Sequence, residues 1–255
     1  MRILIFYSSS SDGPSGEREV VFTDAEALRS SGNEVFIVKY DQSIKSNVLR
    51  VFLMPFFVIW SPSAYFFVKQ KIKIHKPNII HFHGIFPYLS ISAIMAAISS
   101  KVPVVQTLHN VRYICLEGGF HRSNKFCNIC INGSYFKGVI YGCYRNRILS
   151  LFLYISGLIS RIFFSINKKS ITFIAVSSYI QKTYKLANIL NSSVKLRYSN
   201  IPKFNKKLVP LENRTGIIYV SRISISKGSN VIKYLINNSN LLIEIIGSGP
   251  ELLKL

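Results

Sequence analysis

Three histidines end two apolar runs of the sequence, and imidazole rings can bind a sugar, transfer a proton or hold a metal. His81 and His83 close the run 78–83, and His109 follows the run 102–108. The carboxyl ends of parallel strands meet at one edge of an open α/β sheet, where ligands bind. No carboxylate cluster accompanies these histidines, so we expect sugar or phosphate contacts rather than a metal site. The alternative is that each histidine only caps the sheet.

A second candidate site is the segment 221–228, which lies between a predicted strand and a predicted helix. It contains Arg222 and Lys227, five residues apart. Helix N-termini attract anions through free N–H groups and the helix dipole. Together with those groups, the two cations would grip a diphosphate. Two solvated bases on a loop are the alternative.

The glycine-containing turn 8–16 follows the first predicted strand and is a weaker phosphate-binding candidate. Gly16 precedes the first predicted helix, where the absence of a side chain lets a ligand approach the backbone. The turn does not match G-x-G-x-x-G, and no acidic residue stands in the ribose-binding position. The turn therefore predicts a phosphate contact less strongly than the segment 221–228 does.

All four cysteines of the chain fall within one long predicted loop, 109–148. They are Cys115, Cys127, Cys130 and Cys143, with the spacing C-x11-C-x2-C-x12-C. Four thiolates suit a tetrahedral structural zinc, which would stiffen a loop that has little core of its own. A cytosolic location disfavours disulfides. Free thiols are the alternative to zinc, and nothing around the CxxC pair indicates redox catalysis.

The elements that must position these residues alternate as in a doubly wound α/β fold. We expect strands at 2–7, 34–40, 78–83, 102–108, 171–176, 216–221 and 241–246, and helices at 17–31, 63–75, 91–99, 149–164, 177–186 and 228–236. Residues 200–214 read as a linker, because they are rich in lysine, asparagine and proline and lack periodicity. The pattern predicts a first domain at 1–199 and the start of a second at 215–255.

The charge balance narrows the possible partners of the protein. Lysine and arginine total 32 against 11 acidic residues, a formal net charge of +21. Such a field favours polyanions, including phosphorylated ligands and anionic membranes. The bases are scattered and no nucleic-acid motif is present, so we do not expect nucleic acid as the partner. The first residues read as a buried strand rather than a secretory signal, which predicts a cytoplasmic protein.

One apolar stretch, 148–166, approaches the length of a membrane span. Arg161 and four serines dilute it. We therefore expect a helix that lies on a membrane surface or on a neighbouring element rather than one that crosses the bilayer. The alternative is an ordinary buried helix.

Taken in order, several segments resemble the glycosyltransferase family 4 enzymes, which are retaining and have two facing Rossmann-like domains (the GT-B fold). The segments are PSGEREVVFTDAEALRSSGNEVFIV, KPNIIHFHG, PVVQTLHNVRYIC with CNIC and GCYRNR, FIAVSSYIQKTY, IIYVSRISISKG and LIEIIGSGPELLKL. The segments with cysteines are similar to a bacterial subgroup of the family. Each motif is weak by itself, but their order and spacing cover nearly the whole chain.

The resemblance implies transfer of a sugar from a nucleotide-diphosphate sugar to a surface polysaccharide or a lipid-linked glycan. It places Arg222, Lys227 and Gly16 at the donor diphosphate and His109 close to the transferred sugar and the acceptor. His81, His83 and Asn110 would be substrate-binding residues. No metal is then required for the chemistry, so zinc at the cysteines would be structural.

The chain departs from the family pattern at its carboxyl end. Ser221 replaces a glycine, and the Glu-(x)7-Glu element that contacts the donor is missing, because Glu244 and Glu251 are too early and wrongly spaced. We therefore expect a C-terminally truncated enzyme with weak or no transfer. The alternatives are a non-catalytic remnant or binding module, and a zinc-stabilised nucleic-acid-binding protein. Docking on the inner face of the cell membrane is a further expectation, based on Lys69, Lys71, Lys73 and Lys76 with Phe66 and Phe67.

Overall fold

The computed structural model of the chain describes residues 1–8, 16–41, 55–123, 125–190, 194–200 and 209–255. The chain forms two compact units. The first unit comprises Met1–Phe120 and Cys127–Pro202, and the second comprises His121–Phe126 and Lys203–Leu255. The domain boundaries expected from the sequence, 1–199, 200–214 and 215–255, stay a prediction.

The first unit is an α/β structure with a parallel sheet. Its strands are β1 (Arg2–Ser8), β2 (Glu34–Tyr40), β3 (Ile79–Phe82), β4 (Val104–Leu108), β7 (Ile171–Ala175) and β8 (Val194–Leu196). Its helices are α1 (Gly16–Ser30), α2 (Pro62–His75), α3 (Ser90–Ser99), α4 (Lys137–Ile140), α5 (Arg147–Ile166) and α6 (Ser178–Ala187), with a helical turn at 55–59. The six strands have the order β2-β1-β3-β4-β7-β8.

The strands and helices that the sequence predicts are confirmed, with ends shifted by at most two residues. Local capping explains why the helix ends are predictable. Ser61 accepts a hydrogen bond from the amide of Ala64 at the start of α2, and Ser177 accepts one from the amide of Ile180 at the start of α6. The sequence did not predict the three-residue strand β8 or the one-turn helix α4.

The largest part of the core lies on the sheet face covered by α2 and α3. Leu4, Phe6, Ile80 and Phe82 point to this face and are fully buried. The Phe6 and Phe82 rings stack with centroids 5.3 Å apart. A smaller cluster under α1 contains Ile3, Ile5, Tyr7, Val21, Ala25 and Val35. Because both faces of the sheet are covered, its strands read as continuous apolar runs.

Helix α5 packs one face into the first unit. The buried residues on that face are Ser150, Leu153, Gly157, Ser160 and Phe164. Within the described residues, α5 is long and apolar enough to cross a membrane by length and composition, although this test is also passed by core helices. Arg161 donates hydrogen bonds to the carbonyl oxygen of Tyr113, and its guanidinium lies 4.0 Å from the Tyr135 ring centre. Arg161 thus ties α5 to the rest of the unit.

The second unit contains a parallel βαβ arrangement. Strand β9 (Ile217–Val220) pairs in parallel with β10 (Ile243–Ile246), and helix α7 (Ser229–Asn238) connects them. A two-residue hairpin, β5 (His121–Arg122) with β6 (Lys125–Phe126), also belongs to this unit. The expected GT-B-like fold class, a Rossmann-like domain followed by a βαβ unit, agrees with this architecture.

Candidate active site

The carboxyl edge of the six-stranded sheet is where the order of the strands changes direction. Strand β1 connects to β2 on one side and β3 connects to β4 on the other, so the connections after these two adjacent strands leave in opposite directions. The amide of His83 donates to the carbonyl of Phe6 at 2.9 Å, and the Ser8 hydroxyl donates to the carbonyl of Gly84 at 2.5 Å. These bonds hold the end of β3 against the end of β1. A crevice at such a switch point is the usual ligand site of an open α/β sheet.

The three predicted histidines meet at this edge. Nδ1 of His83 lies 3.0 Å from Nε2 of His109, and the two ring centres are 5.2 Å apart. The rings of His81 and His83 are 4.2 Å apart, and Nε2 of His81 lies 2.8 Å from the Thr107 hydroxyl. The row His81–His83–His109 therefore runs from inside the sheet toward the surface.

An ion pair between a buried carboxylate and a partly exposed guanidinium lies beside this row. Asp24 of α1 is 1% exposed and pairs with Arg197, which follows β8. Asn200 donates to the other carboxylate oxygen at 3.1 Å. Nε2 of His83 lies 3.8 Å from Oδ2 of Asp24 and has no hydrogen-bond partner among the described residues. Sequence reading missed Asp24 and Arg197, because they are 173 residues apart.

Burial keeps the three imidazoles neutral. Burial, with a smaller contribution from the nearby Arg197 guanidinium, lowers the pKa of His81 to about 3 and that of His109 to about 4. Burial also lowers the pKa of His83 far below its usual range, with smaller contributions from His81 and His109. Burial disfavours the charged form of an imidazole, because that form loses its hydration. Each ring therefore carries a single N–H at neutral pH.

A cavity of about 630 Å³ opens at the carboxyl edge of the first unit. Its walls come from the segments 84–88 and 106–110, from the inner face of α5, and from aromatic residues that include Phe86, Tyr135 and Tyr144. Of the predicted substrate-binding and catalytic residues, His109 and Asn110 line this cavity. His81 and His83 are 6% and 0% exposed and lie behind them. A ligand in the cavity would thus contact His109 directly, and His81 and His83 only through it.

Glu17 and Arg112 also line the cavity, and the sequence analysis did not single them out. Oε1 of Glu17 and Nε of Arg112 are buried atoms without a hydrogen-bond partner in the described part of the chain. Gly84 leaves room for the Glu17 carboxyl, because a Cβ on Gly84 would lie 1.6 Å from Oε1. Glutamate in the first turn of a helix is common for electrostatic reasons, so its position in the sequence carried no distinct signal.

Ionised Glu17 is expected to destabilise the folded protein. Burial, partly offset by the Arg112 guanidinium, raises the pKa of Glu17 to about 7. Below pH 4.5 the carboxyl is protonated in both the folded and the unfolded state. As the pH rises toward 7, only the unfolded state ionises freely, so stability falls. We expect Glu17→Gln to leave the free energy of unfolding unchanged at pH 4 and to raise it by about 1–2 kcal/mol at pH 8, a value discounted for partial solvent contact.

Urea unfolding at the two pH values measures this difference. The matched control is Glu26→Gln, which changes an exposed residue of the same helix and should have little effect at either pH. An equal gain from Glu17→Gln at pH 4 and pH 8 would contradict the assignment, since it would show that the charge of Glu17 is not responsible.

The predicted phosphate-binding segment of the second unit forms a tight turn between β9 and α7. A 3-10 helix at Ile225–Lys227 leads into Gly228, whose φ is +83°, and α7 begins at the next residue. Ile223 is fully buried, and its amide donates to the Ser248 carbonyl at 2.9 Å. Arg222 and Lys227 are exposed on either side of this anchor. Near them, the buried Ser229 hydroxyl has no partner among the described residues.

The glycine-containing turn 8–16 lies largely outside the described residues, which resume at Gly16. Gly16 is the first residue of α1, and a Cβ on it would meet no atom within 4 Å. The backbone there is open to a ligand, but the predicted phosphate contact of Gly16 stays a prediction.

The four cysteines approach one another around Gly138. Cys143 donates its amide to the Gly138 carbonyl at 2.9 Å, and a Cβ on Gly138 would lie 2.7 Å from the side chain of Leu116, the neighbour of Cys115. Burial raises the pKa of Cys130 to about 11, and Cys115, Cys143 and Cys127 add to the increase. As these side chains lie, however, the described residues contain no group of three or more His, Cys, Asp or Glu that could hold a metal. The structural zinc therefore stays a prediction, and no chemistry is assigned to it.

Two solved structures that are similar to this chain are complexes with UDP-glucose and with UDP. HepE of Anabaena in complex with UDP-glucose superposes with a TM-score of 0.54 at 14% identity, over 96% of this chain and 60% of that chain. A UGT transferase from Siraitia grosvenorii in complex with UDP gives a TM-score of 0.52 at 10% identity, over 99% of this chain and 64% of the other. At these identities the similarity shows the fold alone, which is that of GT-B glycosyltransferases. This chain spans only about three fifths of the length of these structures.

None of the curated proteins matches this chain significantly. The family model for Glycosyltransferase Family 4 matches residues 15–191. That range covers more than half of the 255 residues and includes the three histidines, Asp24, Glu17 and all four cysteines. This chain therefore belongs to Glycosyltransferase Family 4.

Proposed function

We propose that this protein binds a nucleoside-diphosphate sugar and transfers the sugar to a cell-surface polysaccharide or a lipid-linked glycan. The observation that carries the proposal is the strand–turn–helix segment that exposes Arg222 and Lys227 at the start of α7. Both cations and the helix N-terminus attract a diphosphate. HepE and the Siraitia grosvenorii enzyme have been crystallised with UDP-glucose and UDP, so UDP-sugars are the first donors to test.

In this proposal the acceptor occupies the cavity of the first unit. Its volume of about 630 Å³ suits a sugar ring with part of its carrier, and its aromatic walls suit the apolar faces of sugar rings. His109 and Asn110 would contact the reacting hydroxyl and the transferred sugar. The sheet holds His109 in place because it directly follows β4.

The proposed reaction is retaining, as the resemblance to family members implies. Arg222 and Lys227 would stabilise the charge that develops on the leaving diphosphate. The leaving phosphate would accept the proton of the attacking hydroxyl on the same face of the sugar. No metal takes part in this sequence, and zinc bound by Cys115, Cys127, Cys130 and Cys143 would only stiffen the loop.

We further propose that the protein works in the cytoplasm and docks on an anionic membrane face. Of the six residues predicted to form the docking surface, Lys73, Lys76 and Phe66 are exposed. Phe67 instead packs edge-on against Phe6 and Tyr40 in the core. The docking surface of the proposal is therefore basic with a single exposed ring, and the net charge of +21 supports it.

Calorimetric titration of the full chain with UDP and UDP-glucose tests the function. We expect UDP to bind and UDP-glucose to compete with it, and salt to weaken both. Release of UDP in the presence of glycan acceptors tests transfer itself. Binding without release would favour the non-catalytic binding module. Salt-sensitive binding of duplex DNA or RNA without UDP binding would overturn the proposal in favour of a nucleic-acid-binding protein.

A further inference from the structure

Four side chains form a continuous chain of contacts that runs from a partly exposed guanidinium through a buried carboxylate to the cavity. It begins at Arg197, which pairs with Asp24, and continues over 3.8 Å from Oδ2 of Asp24 to Nε2 of His83. Nδ1 of His83 lies 3.0 Å from Nε2 of His109. His109 lines the cavity, whereas Asp24 and His83 are 1% and 0% exposed. The carboxylate is therefore connected to the cavity through two imidazole rings.

The hydrogen bond between the two rings allows only two arrangements of protons. Each neutral ring has one N–H and one nitrogen with a lone pair. If His83 donates from Nδ1, its Nε2 lone pair faces the Asp24 carboxylate in a buried site. If His83 carries its proton on Nε2, this N–H points at the carboxylate, and Nδ1 accepts the proton of His109 Nε2.

Electrostatics makes one of the two proton arrangements more stable than the other. A distance of 3.8 Å is too long for a good hydrogen bond, but the attraction between an N–H dipole and a carboxylate remains strong where water is excluded. The opposite arrangement would bring a lone pair against a negative charge, with no other donor to satisfy that nitrogen among the described residues. Arg197 bonds Oδ2 and Asn200 bonds Oδ1, and Oδ2 is the carboxylate oxygen that lies 3.8 Å from Nε2 of His83.

We propose that Asp24 and His83 are positioning residues that fix the tautomer of His109. Asp24 holds the proton of His83 on Nε2, and His83 in turn holds the proton of His109 on Nε2. Nδ1 of His109 then keeps its lone pair. His109 therefore accepts a hydrogen bond through Nδ1 and cannot donate one from that atom.

This inference rests on the proposed function in one respect, the identity of the ligand. A ring that presents a lone pair recognises a hydroxyl group as a donor, and in the proposed reaction this is the hydroxyl of the acceptor. Accepting that hydrogen bond would aim an oxygen lone pair at the sugar carbon and would raise the nucleophilicity of the hydroxyl. The final proton acceptor would still be the leaving phosphate.

Nitrogen-15 NMR of the full chain with labelled histidine tests the tautomers directly. Long-range proton–nitrogen spectra distinguish a ring nitrogen that carries a proton from one with a lone pair. The chain has only five histidines, so single His→Gln variants assign the signals. We expect His83 and His109 both to be protonated at Nε2 and unprotonated at Nδ1 at pH 7. A wild-type spectrum with His109 protonated at Nδ1 would overturn the proposal.

Variants of Asp24 test whether its carboxylate fixes the tautomer of His109. Asp24→Leu keeps the branching at Cγ and removes the charge, which leaves the positive charge of Arg197 near His83. We expect a substantial fraction of His109 to move its proton to Nδ1. The matched control is Glu26→Gln, which removes an exposed carboxylate from the same helix and should leave both tautomers unchanged. If Asp24→Leu does not fold, Asp24→Asn replaces it, with both tautomers populated as the expected result.

An unchanged His109 tautomer in a folded Asp24 variant would show that the carboxylate does not control the ring. The spectra need no sugar donor, acceptor or turnover. The predicted tautomers can therefore be wrong while UDP binds as proposed, and they can be right while UDP does not bind. Where transfer is measurable, Asp24→Leu is expected to lower kcat about 100-fold with unchanged affinity for UDP. A loss of UDP affinity with unchanged kcat would contradict the positioning role.

Discussion

Lys227→Ala is expected to weaken binding of UDP to the full chain about 10- to 100-fold, because a charge-assisted contact to a phosphate contributes about 1.5–3 kcal/mol. Arg222→Ala should have a similar effect. Both side chains are exposed, and they flank the buried Ile223, which anchors the turn. The double variant should bind UDP too weakly to measure. Titration calorimetry at fixed ionic strength gives these affinities.

The matched control for this experiment is Lys233→Ala. Lys233 is exposed on the same helix but more than one turn beyond its start. It contributes to the general positive field but not to the turn, so its removal should change the affinity less than threefold, a roughly 0.6 kcal/mol effect. Equal losses from Lys227→Ala and Lys233→Ala would show that UDP responds to net charge alone and that the turn is not its site.

Gly247→Ala is expected to disrupt the second unit at the phosphate-binding turn. Gly247 has φ of +150°, and a Cβ there would lie 1.9 Å from the carbonyl oxygen of Ser221. The backbone after β10 thus approaches the backbone after β9 too closely for any side chain. We expect a cost of about 3 kcal/mol or more, from the strained conformation and from the displacement of Ser221.

Hydrogen exchange of the amides in β9 and β10 measures this effect. Loss of protection should extend to the amide of Ile223, which bonds the carbonyl of Ser248. The control is Gly228→Ala, at a φ of +83° but with no atom within 4 Å of the added Cβ. Gly228→Ala therefore has only the cost of placing alanine in a left-handed conformation, about 1 kcal/mol, and causes no steric clash. A smaller loss of protection from Gly247→Ala than from Gly228→Ala would contradict the close approach.

The predictions for Lys227 and Gly247 concern the phosphate-binding turn of the second unit, whereas the tautomer of His109 concerns the cavity of the first unit. The turn at Arg222 and Lys227 acts on the charge of a donor, and the row of histidines acts on the hydrogen bond to an acceptor. Each site lies within a single unit of the structure.

The elements themselves were predictable from the sequence. Strand and helix signals are local, because they depend on the period of apolar residues and on caps such as Ser177. The meeting of His83 with His109 was also predictable, since both follow strands that pair in parallel and strand ends share an edge. Short elements such as β8 were missed, because three residues carry too little periodicity to be recognised.

The contacts of the residues at the sheet edge, in contrast, depended on tertiary structure. In α1 the apolar Ala27 is exposed, whereas the acidic Asp24 is buried. A carboxylate can be buried there only because Arg197 and Asn200, which follow the last strand of the sheet, neutralise and bond it. No local pattern carries that information, because the residues are far apart in the chain.

The amino-acid sequence by itself thus determined the fold class, the order of the strands and helices and the residues at the sheet edge, since these follow from local periodicity and from the rule that ligands bind at strand ends. Only the tertiary structure decided that His109 reaches the cavity while His81 and His83 stay behind it, and that Glu17 and Arg112 join its wall. The physical reason is that burial, and with it the pKa and hydrogen bonding of each group, is set by neighbours that the chain brings together from distant positions.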